Sequence, residues 1–342
     1  MQLYNKHSAE ERAKIIDQNS QERITLSFYK YFKLGNPSLF RDHLFIVWSD
    51  LDVLGRIYVA KEGINAQLSV PKYCFEKFKI SVNEIVPLKN IRLNIALEHY
   101  SKSFLKLTIK IRDKIVADGL DDSSFDVTKV GEHLDAKRFN KMLNNKNTIC
   151  IDMRNHYESE IGFFKGAIKP DVDTFRESLS IIDKELEKNG KDKNYLMYCT
   201  GGIRCEKASA YLKYKGIQNV FQLEGGIIEY TRQVKHHKLE NNFLGKNFVF
   251  DERLGERVSN EIVSNCHQCG APCDTHVNCA NESCHLLFIQ CDDCKKQMNN
   301  CCSEVCKDIY ALPLEEQKSL RKGKGNSNKT VSYTHLTLPT KA

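Results

Sequence analysis

The sequence predicts a mixed α/β and α+β chain in three parts, and three observations carry that prediction. Between residues 23 and 120, short alternating strands and helices follow in the order βαββαβ. Between residues 132 and 236, apolar strands alternate with helices, as in a parallel sheet. Ten of the fourteen cysteines crowd between Cys266 and Cys306. The 342 residues, 41% hydrophobic and 28% charged, suffice for two or three globular domains. A formal net charge of +7, from 51 basic and 44 acidic residues, is mild. It permits a nucleic-acid partner without requiring one.

The first unit spans residues 1–120. Arg23 to Phe32 alternates as a strand does, and Pro37 to Ser49 has helical character. Gly55 to Ala60 and Ala66 to Val70 read as strands joined by the turn Lys61-Glu62-Gly63-Ile64-Asn65. Pro71 to Ile85 reads as a helix with Pro71 at its start, where a missing N–H costs nothing. Ser103 to Ile111 alternates again and supplies a fourth strand. That order predicts a ferredoxin-like sheet with helices on one face. The polar stretch from Asp118 to Asp126 marks a linker, placed at residues 121–131.

In the second unit, residues 132–236, Thr148 to Met153 is a buried-strand pattern, Asp173 to Lys188 a helix, and Val220 to Leu223 another short strand. Leu196 to Cys199 ends in the loop Cys199-Thr200-Gly201-Gly202-Ile203-Arg204, and a helical segment follows from Glu206 to Tyr214. A strand, a tight glycine loop and a helix N-terminus aim backbone N–H groups at an anion. A cysteine held there ionises readily, and the thiolate is the nucleophile. Cys199 is therefore the candidate catalytic thiol and Arg204 the candidate stabiliser of its charge. Thr200, Gly201, Gly202 and Ile203 complete the loop. A plain core cysteine and a surface ion pair are the alternatives for Cys199 and Arg204. Cysteine phosphatases space their Cys and Arg one residue further apart, and here Cys205 stands in that place, so phosphate-ester cleavage is excluded. Cys205 itself reads as a core residue more than as a resolving thiol. Asp152, Arg154 and Glu158 read as braces of the sheet and loop.

The third unit covers residues 237–314. Cys266-x2-Cys269 and Cys291-x2-Cys294 are knuckles of the kind that place two sulfurs on one ion about 2.3 Å away. With Cys273, Cys279, Cys284, Cys301, Cys302 and Cys306 there are ligands for two four-cysteine sites and two to spare, in a grouping that spacing leaves open. Structural zinc is the main reading, and an iron–sulfur cluster is the alternative. His267, His276 and His285 are possible substitute ligands. Residues 315–342 read as a basic tail, and Val331 to Ala342 resembles a translated sequencing adaptor. Met1 to Asp17 carries no apolar signal segment, and no run is long enough to span a bilayer. A cytosolic protein without disulfides is expected.

The second unit resembles a rhodanese domain, the sulfurtransferase fold. The resemblance rests on the Cys199 loop, on Ile151-Asp152-Met153-Arg154-Asn155 with Tyr157-Glu158, on Gly162-Phe163-Phe164-Lys165-Gly166-Ala167-Ile168, and on Leu223-Glu224-Gly225-Gly226-Ile227. Residues 20–320 as a whole resemble one family, the rhodanese-domain tRNA uridine hydroxylases of bacteria. Val59-Ala60-Lys61-Glu62-Gly63-Ile64-Asn65-Ala66 carries that likeness, with Cys266 to Cys273, Cys284 to Cys291 and Cys301-Cys302-Ser303-Glu304. The adaptor-like end departs from it and stands where the family has a longer basic tail.

The resemblance implies oxygen-dependent hydroxylation of the tRNA wobble uridine at carbon 5, giving 5-hydroxyuridine. Dioxygen is then a co-substrate, and Cys199 the working sulfur. The sequence carries no flavin or haem signature. The implied partner is a tRNA anticodon loop, a splayed single strand read by stacking and phosphate contacts. Arg56, Tyr58, Lys61 and Asn65, around the first hairpin, are the candidate RNA readers, with an ordinary solvated hairpin as the alternative. A persulfide carrier feeding tRNA thiolation or another sulfur acceptor is the competing enzyme reading. A zinc-held RNA-binding scaffold is the non-catalytic one.

Overall fold

The computed structural model describes residues 3–120 and 126–322. The first unit runs α1 (Ala9–Gln18), β1 (Arg23–Tyr31), α2 (Pro37–Asp50), β2 (Leu54–Ala60), β3 (Gly63–Pro71), α3 (Phe75–Glu84), β4 (Asn94–Ile95) and β5 (Leu107–Ile111). Helix α2 starts where Pro37 follows Asn36, whose side chain accepts from the N–H groups of Ser38 and Leu39. Its buried face, Leu44, Phe45 and Trp48, packs with Phe78 of α3 onto Leu26, Phe28, Ile57, Val59 and Leu68 of the sheet. Trp48 meets Phe28 edge-on at 6.2 Å between ring centroids.

The sheet order is β4-β1-β3-β2-β5. Its first four members have the ferredoxin-like order, but the fourth strand is the two-residue β4 beside β1. The segment expected in that role becomes β5, which adds parallel to β2 at the opposite edge. The hairpin turn is also tighter than expected. Gly63 already pairs with Ala60, leaving Lys61 and Glu62 as the turn. Pro71 closes β3 opposite Arg23 instead of opening a helix, and α3 begins after one further turn, at Phe75.

The second unit runs β6 (Glu132–Leu134), α4 (Ala136–Leu143), β7 (Thr148–Asp152), α5 (His156–Glu160), β8 (Gly162–Phe164), α6 (Phe175–Asn189), β9 (Asn194–Tyr198), α7 (Ile203–Tyr214), β10 (Val220–Leu223) and α8 (Gly226–His237). Strands β6-β10-β9-β7 form a parallel sheet. Along β9 the side chains alternate between two cores. Tyr195 and Met197 face α6 and α7, whereas Leu196 and Tyr198 face α4 and α8. Cys199 is the first residue beyond β9, at the carboxyl end where open α/β sheets put their chemistry.

The third unit runs β11 (Phe243–Asn247), β12 (Glu256–Arg257), β13 (His276–Asn278), β14 (Leu287–Ile289), α9 (Asp292–Gln297), α10 (Glu304–Ala311) and α11 (Leu314–Arg321). Strand β11 pairs with both β8 and β12, which ties this unit to the second. The stretch read as a basic tail thus opens with a helix. The remainder of that tail, the adaptor-like end at 331–342 and residues 121–125 of the linker lie outside the described residues. No helix among the described residues is long and apolar enough to cross a membrane.

Candidate active site

Helix α7 begins immediately behind Cys199, with Gly202 at its N-cap in a left-handed conformation, φ 104°. The Gly202 N–H donates to Cys199 Sγ over 3.1 Å. Burial pushes this thiol up. The Cys205 thiol, the Arg204 charge and the backbone N–H groups of Cys205 and Arg204 outweigh that push and bring it down to about 6. Cys205 pays the opposite way: burial and the neighbouring sulfur hold its own thiol well above the ordinary range. The sequence reading of Cys205 as a core residue matches its burial, and it also serves Cys199 as a hydrogen-bond donor.

Arg204 does not reach out to solvent. Its two terminal nitrogens meet both carboxylate oxygens of Glu158, at 2.5 and 2.8 Å, and its guanidinium lies 5.9 Å from the Phe250 ring centroid. Glu158 is itself fixed by the Asn155 N–H at 3.0 Å and is fully buried. Arg154 and Asp152 form a second buried pair, and Arg154 also donates to the Gly162 carbonyl at 2.6 Å, tying β7 to β8. These braces act as the sequence reading assigns them.

Gly226, from the Leu223-Glu224-Gly225-Gly226 turn, backs onto the same loop. A Cβ there would fall 2.5 Å from the Thr200 carbonyl oxygen and 2.6 Å from that of Cys199, so only glycine allows the two backbones to meet. Gly202 faces a similar limit from the Tyr29 hydroxyl, at 2.6 Å.

The sulfur lies at the floor of a cleft of about 390 Å³ between the first and second units. Register explains its opposite wall. Ser27 pairs with Gln67 and Gln67 with Arg56; Tyr29 pairs with Asn65 and Asn65 with Tyr58. These two rungs stand on the sheet face opposite α2 and α3, and all six residues line the cleft. Of the candidate RNA readers, Arg56, Tyr58 and Asn65 therefore share a wall opposite Cys199, whereas Lys61, in the turn, is not part of it. Tyr29, Gln67, Asn94 and Phe250 escaped the sequence reading. The first two are signalled by the polar half of the β1 and β3 alternation. Asn94 and Phe250 carry no such signal.

The ten clustered cysteines resolve into two sets. Cys266, Cys269, Cys291 and Cys294 form one, and Cys279, Cys284, Cys302 and Cys306 the other, each with its sulfurs within 4.8 Å of one another. Cys269 and Cys291 stand 3.6 Å apart; Cys302 is 3.7 Å from both Cys284 and Cys306. About 3.7 Å is the edge of a tetrahedron with 2.3 Å metal–sulfur bonds, so both sets fit a zinc ion. Backbone N–H groups of Cys291 and Cys302 donate to the sulfurs of Cys266 and Cys279, the support a thiolate site uses. Cys273 and Cys301 are the two left over. His267 bonds Glu160 at 2.7 Å and is in neither set, nor are His276 and His285.

Family models match the chain in three places: an acylphosphatase-like domain at residues 23–115, a rhodanese-like domain at 135–233 and a rhodanese C-terminal segment at 244–307. A protein of Photorhabdus laumondii named tRNA uridine(34) hydroxylase is 52% identical over 328 residues, covering 96% of this chain and 93% of its own length. One of Leptospira interrogans with the same name is 52% identical over 335 residues, covering 98% and 91%. Among solved structures, a rhodanese-like domain protein from Staphylococcus aureus is 25% identical, covers 29% of this chain and 90% of its own, and has a TM-score of 0.24. At half identity along nearly its whole length, the chain belongs to the tRNA uridine(34) hydroxylase family.

Proposed function

We propose that this protein hydroxylates uridine 34 of tRNA at carbon 5, giving 5-hydroxyuridine, with Cys199 as the catalytic sulfur. The observation that carries the proposal is the acidified Cys199 at the floor of a cleft whose far wall presents Tyr29, Tyr58, Arg56 and Asn65. Aromatic rings and a cation suit a base displaced from a single-stranded loop, and amide groups suit its edge. Such a tRNA substrate goes with a cytoplasmic protein.

Two routes use this sulfur. In the first, the thiolate adds to carbon 6 and makes carbon 5 nucleophilic; once carbon 5 carries oxygen, loss of its proton expels the thiolate. In the second, an oxidised or persulfide form of Cys199 relays the oxygen. With dioxygen as the source, replacing C–H by C–OH consumes two further electrons and two protons, and the second oxygen leaves as water. A two-electron reductant is required, and a thiol is one class that meets the balance. The two four-cysteine sets would hold zinc ions that fix the third unit's fold; no step runs through them. The first set shares an apolar cluster with Phe248 and Phe250, so a metal there would brace the segment from which Phe250 lines the cleft.

The test is mass spectrometry of tRNA nucleosides from cells lacking the gene. Re-supplying the wild-type chain restores 5-hydroxyuridine derivatives if the proposal holds. Thiolated nucleosides falling while hydroxylation persists would instead support the sulfur-carrier reading, which the small N–H-lined Cys199 loop favours.

A further inference from the structure

A second cleft, of about 500 Å³, opens on the other side of the loop. The two clefts share Tyr29, Asn94 and Gly201, so these three residues are the partition between them. Beyond it stand Lys30, Tyr31, Arg92, Thr128 and His133. We propose that this second cleft binds the nucleotide adjacent to the target uridine, as one sugar–phosphate and base of a single RNA strand that runs over the partition. The inference rests on the reading of the first cleft as the uridine site.

Three observations support it. A base inserted beside Cys199 stays joined to its neighbours, and among the described residues Tyr29, Asn94 and Gly201 are the ones that line both clefts. Asn94 is 3% exposed, donates to the Gly201 carbonyl at 3.2 Å, and leaves its Oδ1 without a hydrogen-bond partner. A buried acceptor with no donor at the junction is a group that a ligand satisfies. The charges also suit a phosphate. Glu206 accepts from Tyr29 and Gln222 and meets His133 at 3.0 Å, a contact that raises the imidazole and compensates the carboxylate when His133 is protonated, and Glu224 is paired with Arg92. Lys30 also borders the cleft, from the face of β1 opposite Tyr29 and Tyr31, and is a surplus cation when His133 is protonated; Tyr31 beside Tyr29 adds a second ring for stacking.

The experiment uses the full chain and an anticodon stem-loop RNA carrying 5-iodouridine immediately before or after the target position. Irradiation is expected to crosslink one of the two RNAs to a peptide containing Lys30 and Tyr31, Arg92, or Thr128 and His133. The double variant Lys30→Ala, Arg92→Ala is expected to raise KM for the unlabelled stem-loop roughly tenfold with kcat within about twofold. The slope of log affinity against log salt should fall by about 1 to 2. Crosslinks confined to other surfaces, with KM unchanged in the double variant, would overturn the second cleft alone while the wild type still hydroxylates the RNA. A wild type that leaves the stem-loop unmodified would overturn the uridine reading and this inference with it.

Discussion

Arg204 and Glu158, 46 positions apart, form a buried two-pronged ion pair directly beneath the Cys199 loop. The pair anchors the arginine so that its charge stays beside the sulfur. Removing one partner strands the other in a dry environment, which costs about 3–5 kcal/mol. Glu158→Gln is therefore expected to destabilise the protein by about that amount in urea unfolding.

Arg204→Ala is expected to raise the Cys199 thiol. In the wild type, alkylation by iodoacetamide should rise through a midpoint near about 6, and the variant's midpoint should lie higher. Folding lowers this thiol, so its ionisation adds stability that is complete above the ordinary value near 9. That stability declines as pH falls and is gone below about 6. Thermal unfolding of wild type against Cys199→Ala across this window should show the difference shrinking toward acid.

Metal content follows from the cysteine grouping. The purified chain should carry two zinc ions by elemental analysis, and Cys266→Ser or Cys284→Ser one each. Cys273→Ser and Cys301→Ser should keep both, since neither sulfur belongs to a four-cysteine set. Chelation should unfold the segment around β13, β14 and α9 first, seen as loss of amide protection there.

The Gly226 contact gives a backbone prediction. Gly226→Ala drives a Cβ against the carbonyls of Cys199 and Thr200 at a residue with φ 66°. It should cost about 1–3 kcal/mol and lower kcat by disturbing the thiolate cradle. Gly166→Ala has the same sign of φ but open space around it, and should cost less.

The covalent route has its own signature. RNA with 5-fluorouridine at the target position blocks loss of the carbon 5 substituent, so thiolate addition at carbon 6 should trap an adduct on Cys199, read by peptide mass. No adduct, with hydroxylation of ordinary RNA intact, leaves the oxygen-relay route.

Much of this was legible because local chemistry announces itself. The Cys199 to Arg204 loop is a strand end, two glycines and a helix start in consecutive residues. The Cys266 and Cys291 knuckles each present two sulfurs at the right separation, which marks them as ligands; that they share one site is seen only in the fold. The second set joins Cys279, Cys284, Cys302 and Cys306 through chain folding alone, and spacing does not reveal it. The fourth strand of the first sheet was misplaced for a related reason. Leu107, Ile109 and Ile111 alternate strongly, whereas Asn94 and Ile95 are too few to show any period. Arg56 and Asn65 stand out in the sequence for their place near a hairpin. What unites them with Tyr58 is the register Tyr58 to Asn65 and Arg56 to Gln67, a pairing fixed by tertiary contacts.

The central claim is that Cys199 carries out hydroxylation. The most direct test incubates the purified zinc-loaded chain, wild type or Cys199→Ala, with unmodified tRNA, a thiol reductant and isotopically labelled dioxygen, then weighs the nucleoside from position 34. The account predicts labelled 5-hydroxyuridine from the wild type and none above background from the variant. Undiminished hydroxylation by Cys199→Ala would contradict it.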